Sequence, residues 1–176
     1  MINHSDTQQT IYNIDNPLYW NRDSFDRELD RVYDICLGCR LCFNLCSSFP
    51  ALFDAIDQAG DEKRIHAIEE GRISEQISKK DYIYLPEGEH AVEASIEVEF
   101  RGEVSDLTDK QRWAVVDLCY QCKLCDPVCP YTPGKEHEFQ LDFPKLMTRA
   151  QAIRSKERGV KTNDKFLSNT DFTGKL

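Results

Sequence analysis

No stretch of this chain of 176 residues approaches the roughly 18 apolar residues that a membrane span requires. The opening, Met1-Ile2-Asn3-His4-Ser5-Asp6, has neither the basic segment nor the apolar run of a secretory signal, so export is not expected. Basic residues are in deficit, 22 against 31 acids for a formal net charge of -9, which makes nucleic acid an improbable partner. There is no glycine-rich phosphate loop, no nucleotide fingerprint and no nucleophile motif. Substrate chemistry therefore has no visible home. Histidine is scarce, and none of His4, His66, His90 and His137 has a second His or Cys at ligand spacing. For His137, between Glu136 and Glu138, exposed surface is the plain reading and a proton-linked or metal role the sharper one.

What the chain does have is eight cysteines, all in two runs. One is Cys36, Cys39, Cys42 and Cys46; the other is Cys119, Cys122, Cys125 and Cys129, followed by Pro130. Three cysteines at intervals of three, a fourth and then a proline form the ligand run of bacterial 4Fe-4S ferredoxins. A cubane has four iron corners, and each needs one soft thiolate. In two-cluster ferredoxins the fourth cysteine of each run serves the other cluster. The expected sets are therefore Cys36, Cys39, Cys42 and Cys129 for the first cluster, and Cys119, Cys122, Cys125 and Cys46 for the second. Zinc, the main competitor, needs four thiolates per ion and has no use for three equally spaced ones. Disulfides between cysteines three apart would close strained loops. Eight thiolate ligands point to a reducing compartment, most simply the cytoplasm.

The approach to each run is repeated. Val32-Tyr33-Asp34-Ile35-Cys36-Leu37-Gly38-Cys39-Arg40-Leu41-Cys42 stands 83 residues ahead of Val115-Val116-Asp117-Leu118-Cys119-Tyr120-Gln121-Cys122-Lys123-Leu124-Cys125, and the same offset pairs Pro50 with Pro133. An internal duplication of this kind suits a pseudo-twofold pair of clusters with crossed fourth ligands.

Around the runs the sequence predicts a mainly α protein. Residues 1–22 read as an extended or poorly ordered arm, pinned by Leu18, Tyr19 and Trp20. Asp23 or Ser24 caps a first helix with Phe25, Leu29 and Val32 or Tyr33 on one face, leading to Cys36. Pro50 suits the first turn of a helix through Leu52, Phe53 and Ile56 that Gly60 ends, and Asp61 caps another, with Ile65 and Ile68 apolar, that stops at Gly71. Ile73 and Ile77 suggest one more. Alternation from Val92 to Arg101 suggests a strand that pairs with Tyr82–Leu85 in a small β-hairpin, although Val92 and Ile96 also suit a helix. Thr108 and Gln111 have capping-box spacing, before a stripe of Trp113, Val116 and Tyr120 that is expected to be buried. Tyr131 and Pro133 begin a bend. Phe143-Pro144 opens the last clear helix, whose stripe of Phe143, Leu146, Met147, Ala150 and Ile153 is expected to be buried. Tyr120 and Tyr131 flank the second run, where they either limit water at a cluster or simply pack. The divisions expected are an arm at 1–22, a two-cluster domain at 23–157 with an insert at 54–107, and a basic polar tail or linker at 158–176. Charge is segregated: residues 145–176 carry eight Lys/Arg against three Asp/Glu, and residues 81–109 carry nine acids against Arg101. A solvated surface is the ordinary meaning of such segregation.

The paired runs with a long helical insert, with Cys129-Pro130-Tyr131, Asp142-Phe143-Pro144-Lys145-Leu146-Met147 and Arg149-Ala150, resemble one iron-sulfur module. It is shared by the iron-sulfur subunits of heterodisulfide reductase, of anaerobic glycerol-3-phosphate dehydrogenase and of glycolate oxidase. The resemblance covers about residues 18–176. It implies an alpha-helical ferredoxin fold, two 4Fe-4S clusters on the eight cysteines, and single-electron relay within an oxidoreductase complex, with no catalysis by the chain alone. The implied partners are redox subunits that carry flavin or Cys-Cys-Gly motifs, or a rubrerythrin-type protein. Two features depart from the group: Ser47, not proline, follows Cys46, and no Cys-Cys-Gly motif is present. One alternative is therefore the N-terminal electron-entry module of a larger oxidoreductase that carries those motifs. Another is a redox-silent structural metal-binding module, which iron and sulfide content would distinguish.

Overall fold

The computed structural model describes residues 10–72, 100–159 and 162–168. It is mainly helical, with no strand among the described residues. The helices are α1 (Pro17–Trp20), α2 (Arg22–Cys39), α3 (Ser48–Glu69), α4 (Asp109–Asp117), α5 (Cys125–Val128), α6 (Phe143–Arg158) and α7 (Thr162–Ser168), with 3-10 turns at Val104–Asp106 and Pro133–Lys135. No described helix is long and apolar enough to cross a membrane. The helix expected from Ile73 and Ile77 lies outside the described residues, and so does the hairpin, apart from Phe100 and Arg101, which form no strand. The chain divides into two compact units, Met1–Leu29 with Gln121–Leu176, and Asp30–Tyr120.

In the first unit, the arm is helical over Pro17–Trp20, in place of the extended segment expected. Pro17 sits at the start of α1 because it has no N–H to leave unpaired there, and the Asn16 side chain accepts from the Leu18 N–H. Asn21 then ends α1 and starts α2. Its N–H donates to the Leu18 carbonyl, and its Oδ1 accepts from the Ser24 N–H at 2.8 Å. The cap of α2 is thus Asn21, not Asp23 or Ser24: the third helical N–H is the one a cap side chain reaches, and here that is Ser24's own.

Tyr19 is buried as expected, and Trp20 meets it edge-on at 4.9 Å, with the Lys156 ammonium 4.2 Å from the indole centre. Leu18 pins the arm by its backbone instead of its side chain, which is 43% exposed. The anchor is Arg149 of α6, fully buried. Its Nε donates to the Tyr19 carbonyl at 2.8 Å, and its Nη2 to the Leu18 carbonyl at 2.6 Å and Ser24 Oγ at 3.2 Å. The guanidinium also lies over the Tyr19 and Phe25 rings, at 5.7 and 5.8 Å. Burial lowers its pKa, and the acidic neighbours Tyr12 and Glu28 work against that. The stripe expected on α6 is buried at all five positions. Asp142 caps this helix by accepting from the Lys145 N–H, and α5 packs against it. The segment expected as a tail contains α7.

In the second unit, α3 runs unbroken from Ser48 to Glu69, through the glycine expected to end it. Gly60 is there because another stretch of backbone crosses it. A Cβ on Gly60 would stand 2.7 Å from the Gly102 nitrogen, and one on Gly102 would stand 1.8 Å from the Ile56 carbonyl oxygen. A tertiary contact, not helix termination, selects this glycine. The stop at Gly71 is present. Gly71 takes φ +71°, its N–H donates to the Ile68 carbonyl, and the Arg72 N–H donates to that of Ala67, which is the paired closure of a Schellman motif. Ile65, expected on the apolar side, is 56% exposed, and Ala67 is buried in its place.

α3 packs against α4 and the 3-10 turn Val104–Asp106. The expected Thr108–Gln111 capping box starts α4. Its buried residues, however, are Val115 and Val116. Tyr120 lies beyond the helix end at Asp117 and is 80% exposed. Lys63 on α3 is 2.6 Å from Asp106. Burial would raise the Asp106 carboxyl, but the Lys63 ammonium and the Glu103 N–H together hold it below its ordinary value.

Candidate functional site

The two runs begin in different local structure. Cys36 and Cys39 lie on the last turn of α2, Cys42 in the turn that follows, and Cys46 two residues ahead of α3. Cys119 follows the end of α4, Cys122 stands in an irregular loop, Cys125 opens α5, and Cys129 closes it as C-cap.

The repeat nevertheless persists in the backbone. Arg40 and Lys123, which occupy the matched place between the second and third cysteines, are both left-handed, with φ 51° and 60°. In each loop the carbonyl of that residue accepts from the N–H three residues on, Phe43 to Arg40 at 3.2 Å and Asp126 to Lys123 at 3.0 Å. A left-handed conformation costs a non-glycine residue about 1 kcal/mol, and the same cost recurs at the same place. The loops differ two residues earlier, where Gly38 is helical and its counterpart Gln121 is left-handed at φ 57°.

Each loop is tied down within its own unit. Arg40 makes a two-pronged ion pair with Asp57 of α3, at 2.8 and 3.1 Å, and its guanidinium lies 5.0 Å from the centre of the Phe53 ring. In the second loop, Gln121 Oε1 accepts from Thr148 Oγ1 of α6 at 3.0 Å. Lys135 Nζ donates to the carbonyls of both Pro127 and Cys129 at 2.8 Å, which fixes a cation beside the last cysteine. Apolar side chains on both loops face solvent. Leu41 and Leu124, at matched positions, are 60% and 57% exposed, and Phe43 and Val128 are exposed too.

All eight cysteines are thiols, seven of them half-buried and Cys122 exposed. Their type, number and access fit two four-iron clusters. Among the described residues no three His, Cys, Asp or Glu side chains stand together as a group that could hold a metal ion. Closure of the thiols around iron is therefore an expectation for the loaded protein.

Tyr33 is the residue that relates the two runs within one unit. It is fully buried on α2, one turn before Cys36, and its hydroxyl donates to the Arg112 carbonyl of α4 at 3.2 Å. Burial pushes its pKa well above the ordinary phenol value, and the nearby Cys36 and, more weakly, Cys119 add to the rise. Arg112 in turn pairs with Asp30 of α2 and donates to the carbonyls of Leu107 at 3.2 Å and Val104 at 3.1 Å. Neither Tyr33, Arg112 nor Lys135 stands out in the sequence, because bonds from a side chain to backbone leave no periodic pattern.

Comparison with protein-family models, with curated proteins and with solved structures finds no match.

His137 is half-buried within an aromatic cluster, 4.8 Å from the Tyr131 ring and 4.7 Å from that of Phe139, and its Nδ1 accepts from the Phe139 N–H at 3.1 Å. Tyr131 packs in this cluster, and Tyr120 is exposed.

Proposed function

We propose that this chain is an electron-transfer iron-sulfur protein that relays single electrons through two 4Fe-4S clusters within an oxidoreductase complex. The observation that carries the proposal is the repeat of the cysteine loop. Spacing, a left-handed basic residue and its carbonyl bond recur 83 positions apart, and all eight cysteines of the chain fall in these loops. Cys36, Cys39, Cys42 and Cys129 would hold one cluster and Cys119, Cys122, Cys125 and Cys46 the other, in an alpha-helical ferredoxin arrangement. Each cluster, when bound, supplies a one-electron couple.

The chain's own residues hold the loops, through Arg40, Gln121 and Lys135, and set what approaches them. The exposed Leu41 and Leu124 give each loop an apolar tip of the kind a redox partner would cover, where isolated exposed leucines would be ordinary surface. That partner would be a protein bearing flavin or Cys-Cys-Gly motifs, or one of rubrerythrin type.

The test is iron and acid-labile sulfide analysis, with electron paramagnetic resonance before and after reduction, on protein purified without oxygen. About eight iron and eight sulfide per chain, with a reduced signal from two clusters, is the expected outcome. Zinc without sulfide would instead establish the redox-silent structural module.

A further inference from the structure

The two helices that lead into the cysteine runs are bolted together upstream of their first cysteines. α2 delivers Cys36 and α4 delivers Cys119. Between them, the Tyr33 hydroxyl donates to the Arg112 carbonyl, and the Arg112 guanidinium pairs with Asp30. Two further bonds, to the Leu107 and Val104 carbonyls, stop the guanidinium from swinging away. A planar guanidinium with several fixed acceptors has few orientations left, so the clamp is stiff in the direction that separates the helices. Packing alone would be satisfied by a phenylalanine at position 33. The hydroxyl adds a directional bond between the two helices.

We propose that Tyr33, Arg112 and Asp30 form a positioning clamp that fixes the separation of Cys36 and Cys119, and through it the coupling between the two clusters. The second half of this statement rests on the proposed relay. Coupling between two paramagnetic centres and electron transfer between them both fall steeply with distance, so a relay gains from a clamp placed where both runs begin. Tyr33 stands one turn before Cys36, and its bond reaches α4, which ends just before Cys119.

The test compares the full chain with Tyr33→Phe and Asp30→Asn. In reduced, iron-loaded protein, both variants should keep their iron and sulfide but show a narrowed or lost spin-spin splitting in the resonance spectrum. An unchanged splitting at full iron content, accompanied only by a lower melting temperature, would reduce the clamp to ordinary structure and overturn the proposal. A second measurement needs no cluster. In the full chain with the six other cysteines replaced by serine, bifunctional maleimides of graded length are used to bridge Cys36 and Cys119. With Tyr33 present a narrow range of lengths should react, and with Tyr33→Phe the range should broaden. Identical ranges would overturn the clamp. An unaltered chain that binds no iron would defeat the relay, and the bridging result would then decide the clamp by itself.

Discussion

Arg149 shows how one residue can organise a terminus. It brings a cation into a fully buried position, where two backbone carbonyls, a serine hydroxyl and two ring faces stabilise it. Its Nη1 makes no hydrogen bond among the described residues. Arg149→Ala would leave a cavity and remove the guanidinium's bonds to the Tyr19 and Leu18 carbonyls, of which Leu18 keeps the one from the Asn21 N–H, a loss of about 3 kcal/mol or more. Arg149→Lys should recover little of this, because one ammonium cannot replace a fork that reaches Leu18, Tyr19 and Ser24 together. Denaturant titration of both variants checks this; a lysine variant as stable as the parent would show that charge alone suffices. The residue is visible in the sequence as part of an Arg-Ala pair after the Phe143 segment. Its burial is not, because a guanidinium at one position of an amphipathic helix reads as surface.

At the scale of elements, Gly60 sets two effects against each other. Helix propensity alone says that Gly60→Ala should stabilise α3 by up to about 1 kcal/mol. The crossing backbone at Gly102 says otherwise, because a Cβ at 2.7 Å from a main-chain nitrogen cannot be relieved by turning a side chain. Such overpacking costs about 1–3 kcal/mol, so it wins: Gly60→Ala should destabilise, and Gly102→Ala, with a Cβ 1.8 Å from the Ile56 oxygen, should do so more severely. Thermal melting decides the sign, and a stabilised Gly60→Ala would remove the crossing as the reason for the glycine.

The Lys63–Asp106 pair links the same helix to the 3-10 turn, and its effect on stability has a definite pH window. The folded carboxyl is held below its ordinary value of 3.8, so its contribution is present above that pH and is lost as pH falls through the lower folded value. Lys63→Met should cost under about 1 kcal/mol at neutral pH and flatten the loss of stability in acid, as seen in unfolding curves from about pH 5 to pH 2. An equally steep acid limb would mean that Lys63 is not what depresses the carboxyl.

These elements also show what a sequence can carry. The stripe on α6, the capping box of α4 and the stop at Gly71 are local patterns, and each is present. Gly60 reads wrongly as a helix stop because its cause is a neighbour far along the chain. Tyr120 reads wrongly as buried because the helical count runs past the end of α4 at Asp117.

At the scale of the whole molecule, the proposed clusters take ligands from both ends of the sequence. Cys46→Ala should therefore damage the cluster held by Cys119, Cys122 and Cys125 and spare the other, reducing iron from about eight to about four per chain. Resonance spectra identify the survivor; loss of the cluster nearest in sequence would reverse the crossed assignment. The cysteines are fully legible because ligand spacing is a covalent property of the chain. The contacts of Tyr33, Arg112 and Lys135 are not, since each donates to backbone carbonyls that any sequence supplies.

The anchoring of the arm by Arg149 also bears on how the protein is made. Tyr19 and the guanidinium that holds its carbonyl are 130 positions apart. At ~5–20 residues per second, a ribosome takes roughly 6 to 26 s to cover that distance. Throughout this interval Tyr19 and Phe25 do not have this guanidinium to settle against. The segment around Tyr19 is thus secured only well after it is made, and a nascent chain stalled before Arg149 would present these rings to chaperones.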